Sequence, residues 1–134
     1  MKYNDIIVKN SKIEGMGVFA NRDFKKDEVV IKWNTDTILT DEEVKNLPEK
    51  EKRYISSFRN KYLLQQPPAR FVNHSCEPNT KVVDESSDIA IKDIKKGDEI
   101  TSYYLTFFST DETIRCNCKS KKCKKSWINT AKQL

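Results

Sequence analysis

Apolar residues in the first third of the chain come in short β-branched or aromatic runs separated by turn formers, a pattern that predicts strands of small sheets. Ile6-Ile7-Val8, Gly15-Met16-Gly17-Val18-Phe19-Ala20 and Glu28-Val29-Val30-Ile31 are three such runs, bounded by Asn10-Ser11 and Lys25-Lys26-Asp27. From Thr40 the texture changes. Thr40 stands before Asp41-Glu42-Glu43, so its hydroxyl can cap open backbone N–H groups while Glu43 reaches back, which predicts a short helix over 41–47. Pro48 then opens a stretch in which Tyr54, Ile55 and Phe58 fall at helical spacing, predicting a second helix. After Pro67-Pro68 strands return at Arg70-Phe71-Val72, Thr80-Lys81-Val82-Val83, Ile89-Ala90-Ile91 and Glu99-Ile100-Thr101. Lys95-Lys96-Gly97-Asp98 forms the turn between the last two, and no internal repeat is read in the pattern. The expectation is a mostly-β domain with short helices and a helical insertion over about 34–66.

Length narrows this to one domain, since 134 residues leave no room for a second catalytic unit beside a core of ordinary size. No apolar run approaches the ~18 residues of a membrane span. Met1-Lys2-Tyr3-Asn4-Asp5 leads into no apolar segment with a cleavage site, so the expected setting is intracellular, cytoplasmic or nuclear, without membrane contact. The net charge is +5, and much of the excess sits in Lys119, Lys121, Lys122, Lys124 and Lys125. Such a run is a solvated basic face or a contact for a polyanion such as nucleic acid, and apart from Trp127 it has no aromatics for base stacking.

A single histidine, His74, excludes two-His metal motifs. A cysteine hydrolase would have to pair His74 with Cys76, and side chains two apart in sequence rarely present nucleophile and base to one another. Cys116, Cys118 and Cys123 lie within eight residues, a spacing that fits a metal better than disulfides in a reducing compartment. Structural zinc takes four ligands, and Cys76 is the one further cysteine.

Asn73-His74-Ser75-Cys76-Glu77-Pro78-Asn79 resembles the signature of SET-domain lysine methyltransferases. Gly15-Met16-Gly17-Val18-Phe19-Ala20 is similar to that family's N-terminal glycine motif, Arg70-Phe71-Val72 to the segment before the signature, and Lys95-Lys96-Gly97-Asp98-Glu99-Ile100-Thr101 to its Gly-Glu-Glu-Leu-Thr motif. Cys116-x-Cys118-x4-Cys123 resembles the post-SET zinc motif, which Cys76 would complete. The resemblance spans about residues 5–128, with its motifs in family order.

The resemblance implies a SET fold of small curved sheets with a knot-like C-terminal crossing, a SET domain over 1–110 and a post-SET zinc segment over 111–134. It implies methyl transfer from S-adenosylmethionine to the side-chain amine of a protein or peptide lysine, with zinc as a structural ion. Gly15, Met16, Gly17, Arg70, Asn73, His74 and Trp127 would contact or frame the cofactor, and Arg70 would also brace the chain crossing. Tyr104 takes the place of the catalytic tyrosine, and Tyr62, Ser102 and Phe107 would line the lysine channel. A lysine of pKa ~10.4 costs about 4.6 kcal/mol to hold neutral at pH 7, which an apolar channel and a neighbouring sulfonium charge offset, so no general-base histidine is needed. Ser102 and Tyr103 replace an aromatic and an aspartate of the family pattern, which leaves a second reading open: a catalytically weak module that binds cofactor or peptide.

Overall fold

The computed structural model describes residues 2–103, together with the backbone of two short strands at 113–115 and 126–128. Strands β1 (Lys2–Tyr3), β2 (Ile6–Asn10) and β3 (Met16–Ala20) run antiparallel, with Val8 opposite Val18 and Ile6 opposite Ala20. Period-two alternation sends Ile6, Val8, Val18 and Ala20 into the core. Next come β4 (Val29–Lys32), β5 (Ile38–Leu39), helix α1 (Asp41–Lys45), helix α2 (Glu49–Lys52), β6 (Ile55–Phe58) and β7 (Lys61–Leu64). A 3-10 turn over Ala69–Phe71 leads into β8 (Asn73–His74), β9 (Thr80–Val83), β10 (Ser87–Ala90) and β11 (Glu99–Ser102). The last pair is β12 (Thr113–Arg115) with β13 (Ser126–Ile128).

These strands form small separate sheets: β1-β2-β3-β11-β8, β4-β10-β9, β5-β7-β6 and β12-β13. One hydrophobic cluster is shared among the first three, running from Val18, Ile100 and Val72 through Phe24 and Ile94 to Ile31, Trp33 and Leu63. The expectation of a mostly-β protein with short helices and small sheets holds. The C-terminal crossing expected of the fold lies outside the described residues.

The inserted segment differs from the expectation. Thr40 caps α1 with a full capping box as predicted, its hydroxyl accepting from Glu43 N while the Glu43 carboxylate accepts from Thr40 N, but the helix ends at Lys45. The second helix covers only Glu49–Lys52, and Ile55 and Phe58 belong to a β-hairpin instead. Arg59 and Asn60 supply two consecutive positive φ values, 48° and 66°, which is the geometry of a two-residue type I′ turn. With Phe58 and Lys61 paired across that turn, the insertion combines its two short helices with a three-stranded sheet. Arg70-Phe71-Val72 is likewise no strand: Arg70 N bonds Gln66 O, Phe71 N bonds Pro68 O, and Val72 N bonds Ala69 O, closing tight turns.

A short repeat also emerges where none was read. Ala20 to Val30 and Ala90 to Ile100 share the pattern Asp-apolar-Lys-Lys followed by a positive-φ residue, Asp27 at 76° and Gly97 at 96°. The two copies face one another about a local two-fold. Phe24 and Ile94 exchange both backbone hydrogen bonds at 2.8 Å; Asp27 N bonds Ala90 O as Gly97 N bonds Ala20 O. Asp93 accepts from Lys26 N at 3.0 Å, and Asp23 accepts from Lys96 N at 2.8 Å.

Candidate cofactor site

The edge of the central sheet gathers three stretches far apart in sequence. Strand β11 lies between β3, its antiparallel neighbour, and β8, its parallel one, so that Thr101 faces Asn73 and Ser102 faces His74. This registry brings the Gly15–Gly17 motif, the Asn73–Asn79 signature and the Gly97–Thr101 motif into one locus. Each strand carries only two to five residues, and side-chain hydrogen bonds supplement the ladder.

Asn73 is the centre of this bonding. Its side-chain amide donates to Glu14 O at 3.0 Å, to Met16 O at 3.1 Å and to Glu99 Oε2 at 3.0 Å. Three oxygens share two N–H groups, so the donors of Asn73 are committed within the chain, and what it offers a ligand is the acceptor Oδ1. Glu99 in turn accepts from the Ser11 hydroxyl at 2.8 and 2.9 Å. Gly17 owes its identity to this carboxylate: a Cβ there would lie 2.6 Å from Glu99 Oε2 and 2.9 Å from Ser11 Cβ. Gly15 differs, with a φ of 46° and open space where a Cβ would be. Thus Gly17 admits a neighbouring side chain, and Gly15 gives the turn that leaves Met16 exposed.

The rest of the signature is a clamp on β11. Asn79 imitates a strand neighbour, its amide donating to Glu99 O at 2.8 Å and accepting from Thr101 N at 2.8 Å. Thr80 Oγ1 donates to Thr101 O at 2.8 Å, and Ser75 N bonds Ser102 O at 2.9 Å. His74 is 5% exposed, lies with its ring centroid 5.0 Å from that of Tyr103, and brings Nε2 to 3.5 Å from Cys76 Sγ. The Ser102 hydroxyl is fully buried without a hydrogen-bond partner among the described residues, the kind of orphan that ligand or water sites supply with one.

Arg70 stands elsewhere. Its guanidinium donates to Gln65 O at 2.8 Å and Glu51 at 2.9 Å, and covers the Tyr54 ring at 4.3 Å, bracing the inserted sheet against the turn before the signature. Tyr62 sits in β7, where a hydrogen bond with Asp41, helped by burial, raises its phenol pKa. It belongs to the inserted sheet, and Ser102 to the central one. Tyr104, Phe107, Cys116, Cys118 and Cys123 lie outside the described residues, as does the side chain of Trp127, whose backbone pairs with Ile114. Of the candidate zinc ligands only Cys76 is described, and among the described residues no three His, Cys, Asp or Glu side chains gather as a metal site. Sequence reasoning singled out neither Ser11 nor Glu99 as a site residue; each is an ordinary polar residue until the fold brings them together.

Residues 15–105 match the SET domain family. The chain belongs to the SET-domain family. Among curated relatives, this SET domain is 33% identical over 147 residues to Histone-lysine N-methyltransferase trr of Drosophila melanogaster, a match covering 94% of this chain. It spans only 6% of that protein's length, and 2% of human Histone-lysine N-methyltransferase 2D. Among solved structures, a Plasmodium falciparum protein provisionally described as a histone methyltransferase superposes with a TM-score of 0.64 at 26% identity, covering 77% of this chain and 95% of that one. The ctPRC2 assembly, solved bound to S-adenosylmethionine, gives the same TM-score at 24% identity over 78% of this chain and 16% of that one, a likeness of fold.

Proposed function

We propose that this SET domain is a protein-lysine N-methyltransferase that uses S-adenosylmethionine. The observation that carries the reading is the Asn73 amide, whose committed donors leave an acceptor beside the exposed Gly15-Met16 turn. An acceptor suits the α-ammonium of S-adenosylmethionine, which brings a sulfonium methyl to the reaction. The buried His74, packed against Tyr103, closes the neighbouring side, and its strand offers backbone groups to the adenine. Tyr104 follows directly in sequence as the catalytic hydroxyl that orients the lysine amine, with Trp127 as the cap and Tyr62, Ser102 and Phe107 along the lysine channel. The orphan hydroxyl of Ser102, smaller than an aromatic, leaves room at the acceptor nitrogen for more than one methyl. The substrate is a protein lysine, and the relatives named for histone-lysine methylation make a histone tail the first to try, in a nuclear setting. Contact between the basic Lys119–Lys125 run and nucleic acid is a further part of the proposal.

The zinc proposal assigns Cys76, Cys116, Cys118 and Cys123 as ligands in a post-SET segment over 111–134. The part-buried Cys76 thiol, at the end of the signature and beside His74, is a soft donor fit for zinc. Purified protein is expected to carry one zinc per chain and to lose it in Cys118→Ser; metal retained after Cys76→Ser and Cys118→Ser together would remove the site. The activity is tested by incubating the protein with methyl-labelled S-adenosylmethionine and histone tails, reading products by intact mass. Transfer that reaches two or three methyls is expected. Binding without transfer would instead establish the binding-module reading, and a stall at one methyl would refute the roomy channel.

A further inference from the structure

We propose that Glu99 is a positioning residue for cofactor binding, acting through the orientation of the Asn73 amide; the inference rests on the methyltransferase reading above. Glu99 bonds the Asn73 amide at 3.0 Å and would act on the cofactor through that side chain. Its carboxylate lies behind Asn73, held from the far side by the Ser11 hydroxyl at 2.8 and 2.9 Å. Asn73 has two possible orientations of its amide, and the neighbours choose one. Turning it over would set Oδ1 against Glu14 O, Met16 O and Glu99 Oε2, three oxygens that carry no proton to share. Glu99 is the only charged member of that set, and a charged acceptor makes roughly twice as strong a hydrogen bond as a neutral one.

Two features of the sequence serve this arrangement. Gly17 lacks the Cβ that would sit 2.6 Å from Glu99 Oε2, so the carboxylate can reach past β3 to Asn73. Ser11 supplies the donor for Glu99 while its own oxygen accepts from Ile13 N at 2.9 Å, which fixes the hydroxyl. One chain of bonds therefore runs from the turn after β2 through β11 to β8, and it ends on the two carbonyls that flank Gly15. Removing Glu99 leaves the amide with backbone partners only and frees the Gly15-Met16 turn to drift, so affinity falls before the fold does.

The test compares Glu99→Leu with Glu99→Gln by calorimetric titration of S-adenosylmethionine, alongside apo melting curves and the side-chain NH2 resonances of Asn73. Glu99→Leu is expected to raise Kd at least tenfold and to move the Asn73 resonances. Glu99→Gln keeps an oxygen for Asn73 and presents its own NH2 to the Ser11 oxygen, so it should stay within about threefold of wild type. Should Glu99→Leu not fold, Ser11→Ala removes the same support from behind and should raise Kd severalfold. Equal affinity in wild type and Glu99→Leu, or unmoved Asn73 resonances, would overturn the proposal while leaving the methyltransferase reading intact. A wild-type chain that bound no S-adenosylmethionine would overturn that reading, and the Asn73 resonances would still decide whether Glu99 holds the amide.

Discussion

The central sheet and the inserted sheet are both made of strands two to five residues long, yet they are held together in opposite ways. In the inserted sheet every pairing joins residues between Ile38 and Leu64, and its tightest corner is a two-residue hairpin. In the central sheet Ser11 reaches Glu99 and Asn73 reaches Met16, pairs 88 and 57 residues apart. A local hairpin forms and varies without disturbing its surroundings, whereas a site assembled from three distant segments fails if any one of them is misplaced. The candidate chemistry sits where the contacts are long-range, and the strand pairings of the segment between Asn34 and Gln66 stay within it.

The sharpest way to break the long-range side is Gly17→Val. Its branched side chain must displace Glu99 and press on Ser11, so destabilisation of ~1–3 kcal/mol or more and loss of S-adenosylmethionine binding are expected in melting and titration experiments. Unchanged binding would show that the cluster tolerates expansion.

The third sheet offers a long-range contact away from the site. Trp33 Nε1 donates to Asp88 Oδ2 at 2.7 Å across β4 and β10. Burial lifts the Asp88 carboxyl from 3.8 to about 7, with the indole hydrogen bond pulling the other way. The folded protein thus prefers Asp88 protonated: this contribution to stability is complete below about pH 4 and is lost as pH rises through about 7. Melting temperature should fall across that window, and Asp88→Asn should flatten this part of the slope while keeping an acceptor for Trp33. A slope unchanged in Asp88→Asn would assign the pH dependence to other groups.

Arg70→Lys separates bracing from binding. Lysine cannot bond Gln65 O and Glu51 while covering Tyr54, so ~1–2 kcal/mol of stability should go, with cofactor Kd changed by less than about twofold. A large loss of affinity in folded protein would return Arg70 to the cofactor. The smallest effect belongs to the hairpin: Asn60→Gly relieves a left-handed residue at 66° and should add at most ~1 kcal/mol, leaving cofactor affinity as it was. Any change in affinity would show that the inserted sheet and the site are coupled.

Much of this was legible in the chain. Short β-branched and aromatic runs bounded by turn formers placed β2, β3, β4, β9 and β11, and Thr40 with Glu43 announced the start of α1, because strand preference and cap are local consequences of residue type. The hairpin after Phe58 was not, since Arg-Asn is a rarer occupant of a type I′ turn than Asn-Gly and Tyr54, Ile55 and Phe58 mimic a helical face. The repeat of Asp-apolar-Lys-Lys was present in the letters but took meaning only once Phe24 and Ile94 were seen to exchange hydrogen bonds.

By itself, the sequence determined the family and the order of its motifs, for those are carried by short words such as Asn73-His74-Ser75-Cys76. Only the tertiary structure decided why Gly17 is glycine, which way Asn73 points, and that Arg70 braces the insertion. Those facts depend on Glu99, Ser11 and Glu51 arriving from distant parts of the chain, and no local pattern encodes which carboxylate will stand 3.0 Å from an amide after folding.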